Sequence, residues 1–485
     1  MSDLLAVFDI GTTGARTIIF DINGKEISRT YEEYPVIQQP TGTSEQDPNV
    51  WWNAVKNTCN MALKHINKDD IVGLVASCFR ATATFIDQNG EILHPALTWM
   101  DEREEDSAKD WTKDDALRRA IPKVLWFKNN KPEIYEKIAK VSFVDTYIYN
   151  RLCNVIATDP ANGVMGPLNF NTLKWDGKLA EHYEVPIDIW PEVYFYGDHL
   201  GELSDEAAKE LGLKQNTPIF MGGGDQQCSA LGLGVIRSGQ AKITNGTGTF
   251  VDYVTDNPVK APEGFPIFSY PSVIKDKWHI EGALPGTGTA IKWFKDNFSQ
   301  LQINQSVEEN KNVYDVLTEE AASVLPASEG LMVTPLYVFR KATIHGLSLN
   351  HNRGHMMRAL IESACLSAQM YLTSLERIGG INVSEVRVDG GGMNSSLWAQ
   401  ILADTTSKKI LIPEVKDSAA LGAAILVFRN SEKYSSLDNA IINMVRFIDE
   451  KNPIKKNVRI YKKLYRFFLS ALLDIDGKKR VTRNL

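Results

Sequence analysis

The first residues able to do chemistry lie at the end of an apolar run. Leu4-Leu5-Ala6-Val7-Phe8 leads into Asp9, then Ile10-Gly11-Thr12-Thr13-Gly14-Ala15-Arg16, then a second apolar run, Thr17-Ile18-Ile19-Phe20. Two strand-length runs around a short glycine-containing loop predict a β-hairpin. Its turn carries two glycines that let backbone N–H groups approach an anion, two hydroxyls and a guanidinium. An acid beside such a turn repels phosphate unless a divalent cation stands between them. The stretch fits a loop for a nucleotide's terminal phosphates with Asp9 facing magnesium. It equally fits an Asx-type hairpin turn with ordinary caps.

Further along, Pro218-Ile219-Phe220-Met221 predicts a short strand, followed by Gly222-Gly223-Gly224-Asp225-Gln226-Gln227 and a small-residue helix over 228–233. Ala241 to Thr244, Asn245-Gly246-Thr247-Gly248-Thr249 and Phe250 to Val254 form a second strand–glycine loop–strand unit, similar in design to the first. Val386 to Asp389 runs into Gly390-Gly391-Gly392, with a helix from about Ser395. Three glycine-rich loops, each after a strand, point to phosphate and nucleotide contacts made by backbone N–H groups.

The elements that must position these residues alternate between strand and helix. Gln46 to Ile66 has apolar or small residues at helical spacing behind an Asp47-Pro48 start. Residues 71–77 read as a buried strand ending at Arg80, 84–87 as part of a hairpin, and 104–155 mainly as helices. Residues 160–215 are loop-rich. Met357 to Leu375 has the apolar stripe of a core helix. Ala419 to Ala424 opens a helix with a very small-sided surface, which suits close approach to another helix or to a flat ligand.

A chain of 485 residues exceeds one hydrophobic core, so two domains are expected, with a boundary just beyond the unit at 241–254, near 255, or just before it. With 43% hydrophobic and 23% charged residues the composition is that of a soluble globular enzyme. No run approaches a membrane span, and the N-terminus lacks the basic region of a signal peptide. Five scattered cysteines without CxxC spacing predict reduced thiols in the cytoplasm, with no disulfide frame or zinc site. A net charge of −7 argues against a nucleic-acid surface.

There is no GxxxxGK[ST], no GxGxxG opening a helix from the first strand, and no protein-kinase catalytic motif. Instead a series of motifs stands in order: DIGTTGAR at Asp9–Arg16, WMDER at Trp99–Arg103, TDPANG at Thr158–Gly163, GGGDQQ at Gly222–Gln227 and NGTGTF at Asn245–Phe250. Gly346-Leu347 with His355 to Glu362, GGGMNSSLWAQILAD at Gly390–Asp404 and AALGAA at Ala419–Ala424 complete it. In this order they resemble the FGGY family of carbohydrate kinases, within the actin-like ATPase superfold, over nearly the whole chain. The resemblance implies an α/β fold of two actin-like (ribonuclease H-like) ATPase domains around a central cleft: 1–254 on the substrate and phosphate side, 255–448 on the adenosine side, and a helical tail over 449–485. It implies ATP and Mg2+ as cofactors, a cytoplasmic enzyme, and a homodimer as a common state.

Carried over by motif, Asp225 would be the general base that takes the proton of a substrate hydroxyl as that oxygen attacks phosphorus. The alternative for Asp225 is a helix N-cap after a glycine turn. Asp9 would face magnesium; Thr12, Thr13, Arg16, Gly246 and Thr247 would hold phosphates; Gly288, Gly391 and Asn394 would line the adenosine. Arg80, Asp101, Asp225 and Gln226 would contact the acceptor, although a structural ion pair explains Asp101 and Arg103 as well. Glycerol kinases place an Arg-Glu pair at the Arg80 position, as the autoinducer-2 kinase branch usually does, and here Ala81 replaces the acid, a departure from both. The expected activity is ATP-dependent phosphorylation of a small open-chain sugar or polyol, with autoinducer-2 kinase and glycerol kinase as the branches to compare. An actin- or chaperone-like nucleotide switch without a sugar is the competing class.

Overall fold

The computed structural model describes residues 3–39, 42–103, 117–246, 248–259, 267–284, 286–334 and 342–476, with side chains in the last helix to residue 472. Thr247, residues 104–116 of the predicted helical stretch and residues 477–485 of the tail lie outside the described residues.

All seven residues of the strand Leu4–Ile10 are buried, as an unbroken apolar run demands of a central strand covered on both faces. Among the described residues it is one of six strands in a mixed sheet, ordered His199–Glu202, Pro218–Gly224, Ile71–Cys78, Leu4–Ile10, Gly14–Asp21, Glu26–Glu33. The three central members Pro218–Gly224, Ile71–Cys78 and Leu4–Ile10 run parallel and the outer pairings are antiparallel. The predicted hairpin is there, with Asp9 directly opposite Arg16. The helix Pro48–Ala62 covers this sheet, its first turn carrying Pro48 behind the Asp47 cap, whose side chain accepts from the Asn49 N–H.

A second sheet repeats the plan: Trp278–Leu284, Thr249–Thr255 and Gln240–Asn245 are an antiparallel meander, and Glu385–Asp389 and Lys409–Pro413 continue it in parallel. The 27-residue helix Arg353–Gly379 lies against it, with its apolar stripe buried. Arg358 inside that helix is buried and donates to Glu362 at 2.8 Å, while Glu362 also accepts from Ser328 at 2.9 Å and from the Tyr461 hydroxyl at 2.7 Å. The end of the predicted C-terminal signature is thus a satisfied buried polar cluster that ties the last helix to the core.

The chain divides into two compact units. One runs from the N-terminus to Gly234 and takes in Tyr270–Lys277 and Asp417–Arg446; the other holds Val235–Ser269, Trp278–Lys416 and the segment from Phe447. The division after Gly234 falls just before the unit at 241–254 rather than near 255, for two reasons. Gln240–Asn245 pairs with Glu385–Asp389, so it belongs to the second sheet. The helix Ser418–Asn430 returns to the first unit, where a Cβ on Gly422 would lie 1.8 Å from the Cys228 carbonyl oxygen and one on Gly232 would lie 1.8 Å from that of Ser418. The small residues of AALGAA serve helix-on-helix contact.

Two local expectations are corrected. Gly222–Gly224 is strand, not loop, and the following helix begins at Asp225. A Cβ at Gly222 would sit 1.8 Å from the Ala76 carbonyl oxygen, and at Gly223 2.8 Å from the Tyr196 ring, so neighbours leave no room for side chains. Lys140–Phe143, within a stretch read as helical, is a strand pairing with Ala83–Ile86.

Candidate active site

In the first unit the parallel strands end together. Their register sets Asp9 and Gly223 on either side of Ser77, with Gly224 beside Cys78. Asp9, Arg80 and Asp225 therefore leave the carboxyl ends of three adjacent strands, the edge where open α/β sheets place ligands.

Asp9 is buried, and Arg16 Nη1 lies 3.2 Å from its carboxylate. The Arg16 Nε is 3.5 Å from Asp417, which Arg29 in turn meets at 2.7 Å. Burial lifts the Asp9 carboxyl from 3.8 to about 6, opposed by Arg16 and helped by Asp417 and Asp225. Three acids converge here, and the innermost is held against its preferred ionised state. A divalent cation would relieve that arrangement, so the donor set fits Mg2+.

The turn beside Asp9 is braced from several elements. Gly11 N–H donates to the Gly14 carbonyl at 2.9 Å and Tyr34 O–H to that of Gly11 at 2.5 Å. Gln46 donates to the Thr12 carbonyl at 3.1 Å, and the Trp99 indole N–H to the Thr12 hydroxyl oxygen at 3.1 Å. Thr12 can then offer a ligand its hydroxyl proton. Thr13 is exposed at the tip.

Asp225 opens the helix Asp225–Gly232, for which Gly224 is the cap residue without a side-chain bond. Asp225 is therefore the first residue of the helix and not its N-cap. Its carboxylate accepts from the Gln226 N–H at 2.8 Å and the Gln226 side-chain amide at 3.3 Å, lies 3.6 Å from Arg80 Nε, and is about a third exposed at 33%. An oriented, partly solvated carboxylate at a strand end can accept a proton from a hydroxyl within about 3 Å. Arg80 is buried with its guanidinium carbon 4.2 Å from the Tyr270 ring centroid. Ala81 follows in the left-handed region at φ 60.

Asp101 has another environment. Its fully buried carboxylate accepts from the Ser44 N–H at 2.7 Å, from the Arg103 N–H at 3.1 Å, and from the Arg103 guanidinium at 2.8 to 3.1 Å. Both oxygens are engaged, so the ion pair organises the WMDER turn. The TDPANG motif is also structural at its acid: Asp159 is buried and accepts from the N–H groups of Ala161 at 2.6 Å and Asn162 at 3.3 Å.

The second unit contains a cavity of about 470 Å³, and Gly246, Gly288, Gly391 and Asn394 all line it. Gly288 is in the first turn of the helix Thr287–Phe298, and Asn394 ends the turn Gly391–Asn394. A Cβ on Gly246 or Gly391 would meet nothing within 4 Å, so these glycines leave open space. Gly390 is different: at φ +88 it packs where a Cβ would lie 2.4 Å from the Asn245 carbonyl oxygen. Lys292, Asn312, Tyr314 and Trp398 also line the cavity and carried no sequence signal beyond their types. The volume and mixed lining suit a ligand of nucleoside size.

Two family models match: the FGGY N-terminal domain over residues 4–232 and the FGGY C-terminal domain over 241–431. The chain belongs to the FGGY family of carbohydrate kinases. Among curated FGGY relatives, the autoinducer-2 kinase of Enterobacter sp. (strain 638) is 29% identical, covering 95% of this chain and 92% of its own. The gluconokinase of Bacillus subtilis (strain 168) is 27% identical over 98% and 97%. The crystal structure of ligand-bound xylulose kinase from Lactobacillus acidophilus superposes with a TM-score of 0.87 at 22% identity, covering 98% of this chain and 99% of that one. The FGGY fold expected from the sequence, α/β with two actin-like domains, is the fold observed. No helix among the described residues is long and apolar enough to cross a membrane.

Proposed function

We propose that this FGGY kinase transfers the γ-phosphoryl group of ATP to a hydroxyl of a small open-chain sugar or polyol, with Asp225 as general base. The observation that carries the reading is the Asp225 carboxylate: oriented by Gln226, flanked by Arg80, and partly open at the strand end. As the acceptor oxygen bonds to phosphorus and the bond to the β-phosphate bridge breaks, Asp225 takes the hydroxyl proton. Arg80 and Gln226 orient the acceptor, and Asp101 acts by holding the turn at 99–103. Thr12, Thr13 and Arg16 contact the β- and γ-phosphates, and Gly246 and Thr247 are assigned to phosphate by their motif. Gly288, Gly391 and Asn394 line the adenosine. Asp9 would hold Mg2+, which when bound neutralises phosphate charge.

The names of the relatives set the first acceptors to test: the autoinducer-2 precursor, gluconate and xylulose, beside glycerol, erythritol and ribulose. The substitution Ala81 for an acid supports weaker turnover of glycerol. A coupled ATP assay over this panel tests the reading. ATP turnover that no panel member stimulates, in protein that binds ATP, would count against it. A cytoplasmic location and a homodimer belong to the same proposal, and light scattering on the purified protein checks the second.

A further inference from the structure

Arg80 reaches Asp225 along an unusual route. A Cβ on Gly224 would stand 2.5 Å from Arg80 Cδ and 2.8 Å from Cγ, so the arginine stem lies directly across the Gly224 backbone. Its guanidinium then rests over the buried Tyr270 ring at 4.2 Å, with Nε 3.6 Å from Asp225. The backbone that carries Tyr270 is tied down one residue on, where the Tyr196 hydroxyl donates to the Pro271 carbonyl at 3.1 Å. The Tyr196 ring has its place because Gly223 lacks a Cβ that would lie 2.8 Å away. The glycines at 223 and 224 thus have a common result. They let two side chains pack on the strand so that a planar cation is presented beside a carboxylate.

A free arginine side chain carries about 2 kcal/mol of rotamer entropy, and a buried cation–π contact restrains it. We infer that Tyr270 is a positioning residue: its ring face fixes the Arg80 guanidinium beside Asp225 and so sets affinity for the acceptor, without touching the nucleotide. This rests on the reading of Arg80 as an acceptor contact.

The test is steady-state kinetics with the best acceptor from a panel of glycerol, erythritol, xylulose, ribulose and gluconate. Tyr270→Leu should raise the acceptor KM about tenfold and leave the KM for ATP within about twofold. Tyr270→Phe, which keeps the ring face, should restore the acceptor KM to within about twofold of wild type. Tyr196→Phe, which removes only one hydroxyl, should move the acceptor KM in the same direction by less. Arg80→Ala separates acceptor binding by Arg80 from its positioning by Tyr270. If Arg80→Ala raises the acceptor KM and Tyr270→Leu does not, the positioning role is overturned while the reading of Arg80 stands. If Arg80→Ala leaves the acceptor KM unchanged, that reading fails and the inference with it. A Tyr270→Leu protein with both KM values raised together and a lowered Tm would mark Tyr270 as ordinary packing.

Discussion

Replacing Asp9 by Asn in metal-free protein isolates the cost of burying that carboxylate. Burial lifts Asp9 from 3.8 to about 6, against the pull of Arg16 and with help from Asp417 and Asp225. At about 1.36 kcal/mol per unit, a rise of roughly two units makes the ionised side chain unfavourable to the fold by about 3 kcal/mol. The folded protein holds a proton that the unfolded chain has released, so stability falls as pH rises between 3.8 and about 6, and the whole penalty is present above that range. Asn has no charge to bury. The stability of Asp9→Asn relative to wild type should therefore widen by about 1 kcal/mol from roughly pH 5 to roughly pH 7, on top of a constant offset from the lost Arg16 contact. Urea unfolding followed by intrinsic fluorescence, in EDTA at several pH values, reads this directly. Parallel stability curves for the two proteins across that range would mean that Asp9 carries no such burial penalty. Added Mg2+ should narrow the gap near neutral pH by stabilising wild type alone.

Removing Arg358 leaves Glu362 buried without its cation, so Arg358→Ala should lose about 3–5 kcal/mol in urea unfolding, and Arg358→Met with Glu362→Leu should recover only part of it, because Ser328 and Tyr461 then lose their acceptor. Gly391→Val puts its side chain into open space in the cavity; thermal melts should stay within about 0.5 kcal/mol of wild type, while nucleotide affinity by calorimetry falls at least about tenfold. Gly222→Ala drives a Cβ against the Ala76 carbonyl and should destabilise by about 1–3 kcal/mol or more, with unchanged urea midpoints as the contrary result.

The parts of this kinase that could be read in the sequence are those whose chemistry is local. The hairpin at Asp9–Arg16 and its repeat at Asn245–Thr249 appear as glycine turns between apolar runs, and the Asp47-Pro48 helix start was equally plain. What escaped was set by packing between distant segments. Asp417 meets Arg16 and Arg29 from about 400 residues away, and nothing around it suggests that role. Tyr270 has no motif around it, yet its ring lies against Arg80. Three successive glycines read as a turn because glycine permits one. Here the reason for them is the absence of room beside Ala76, Tyr196 and Arg80, which only the folded sheet reveals. Four of the predicted nucleotide residues line one cavity because each sits at a strand-to-helix turn or a hairpin tip, positions that glycine spacing marks well.

The turnover of Asp225→Asn with the best acceptor at saturating ATP shows whether Asp225 is the base in phosphoryl transfer. Asn keeps the size of the side chain and removes its capacity to take a proton. The kcat should fall about 10²- to 10⁴-fold, with ATP affinity in calorimetry unchanged and the melting curve close to wild type. Turnover within about tenfold of wild type, on a protein shown to bind both ligands, would contradict it.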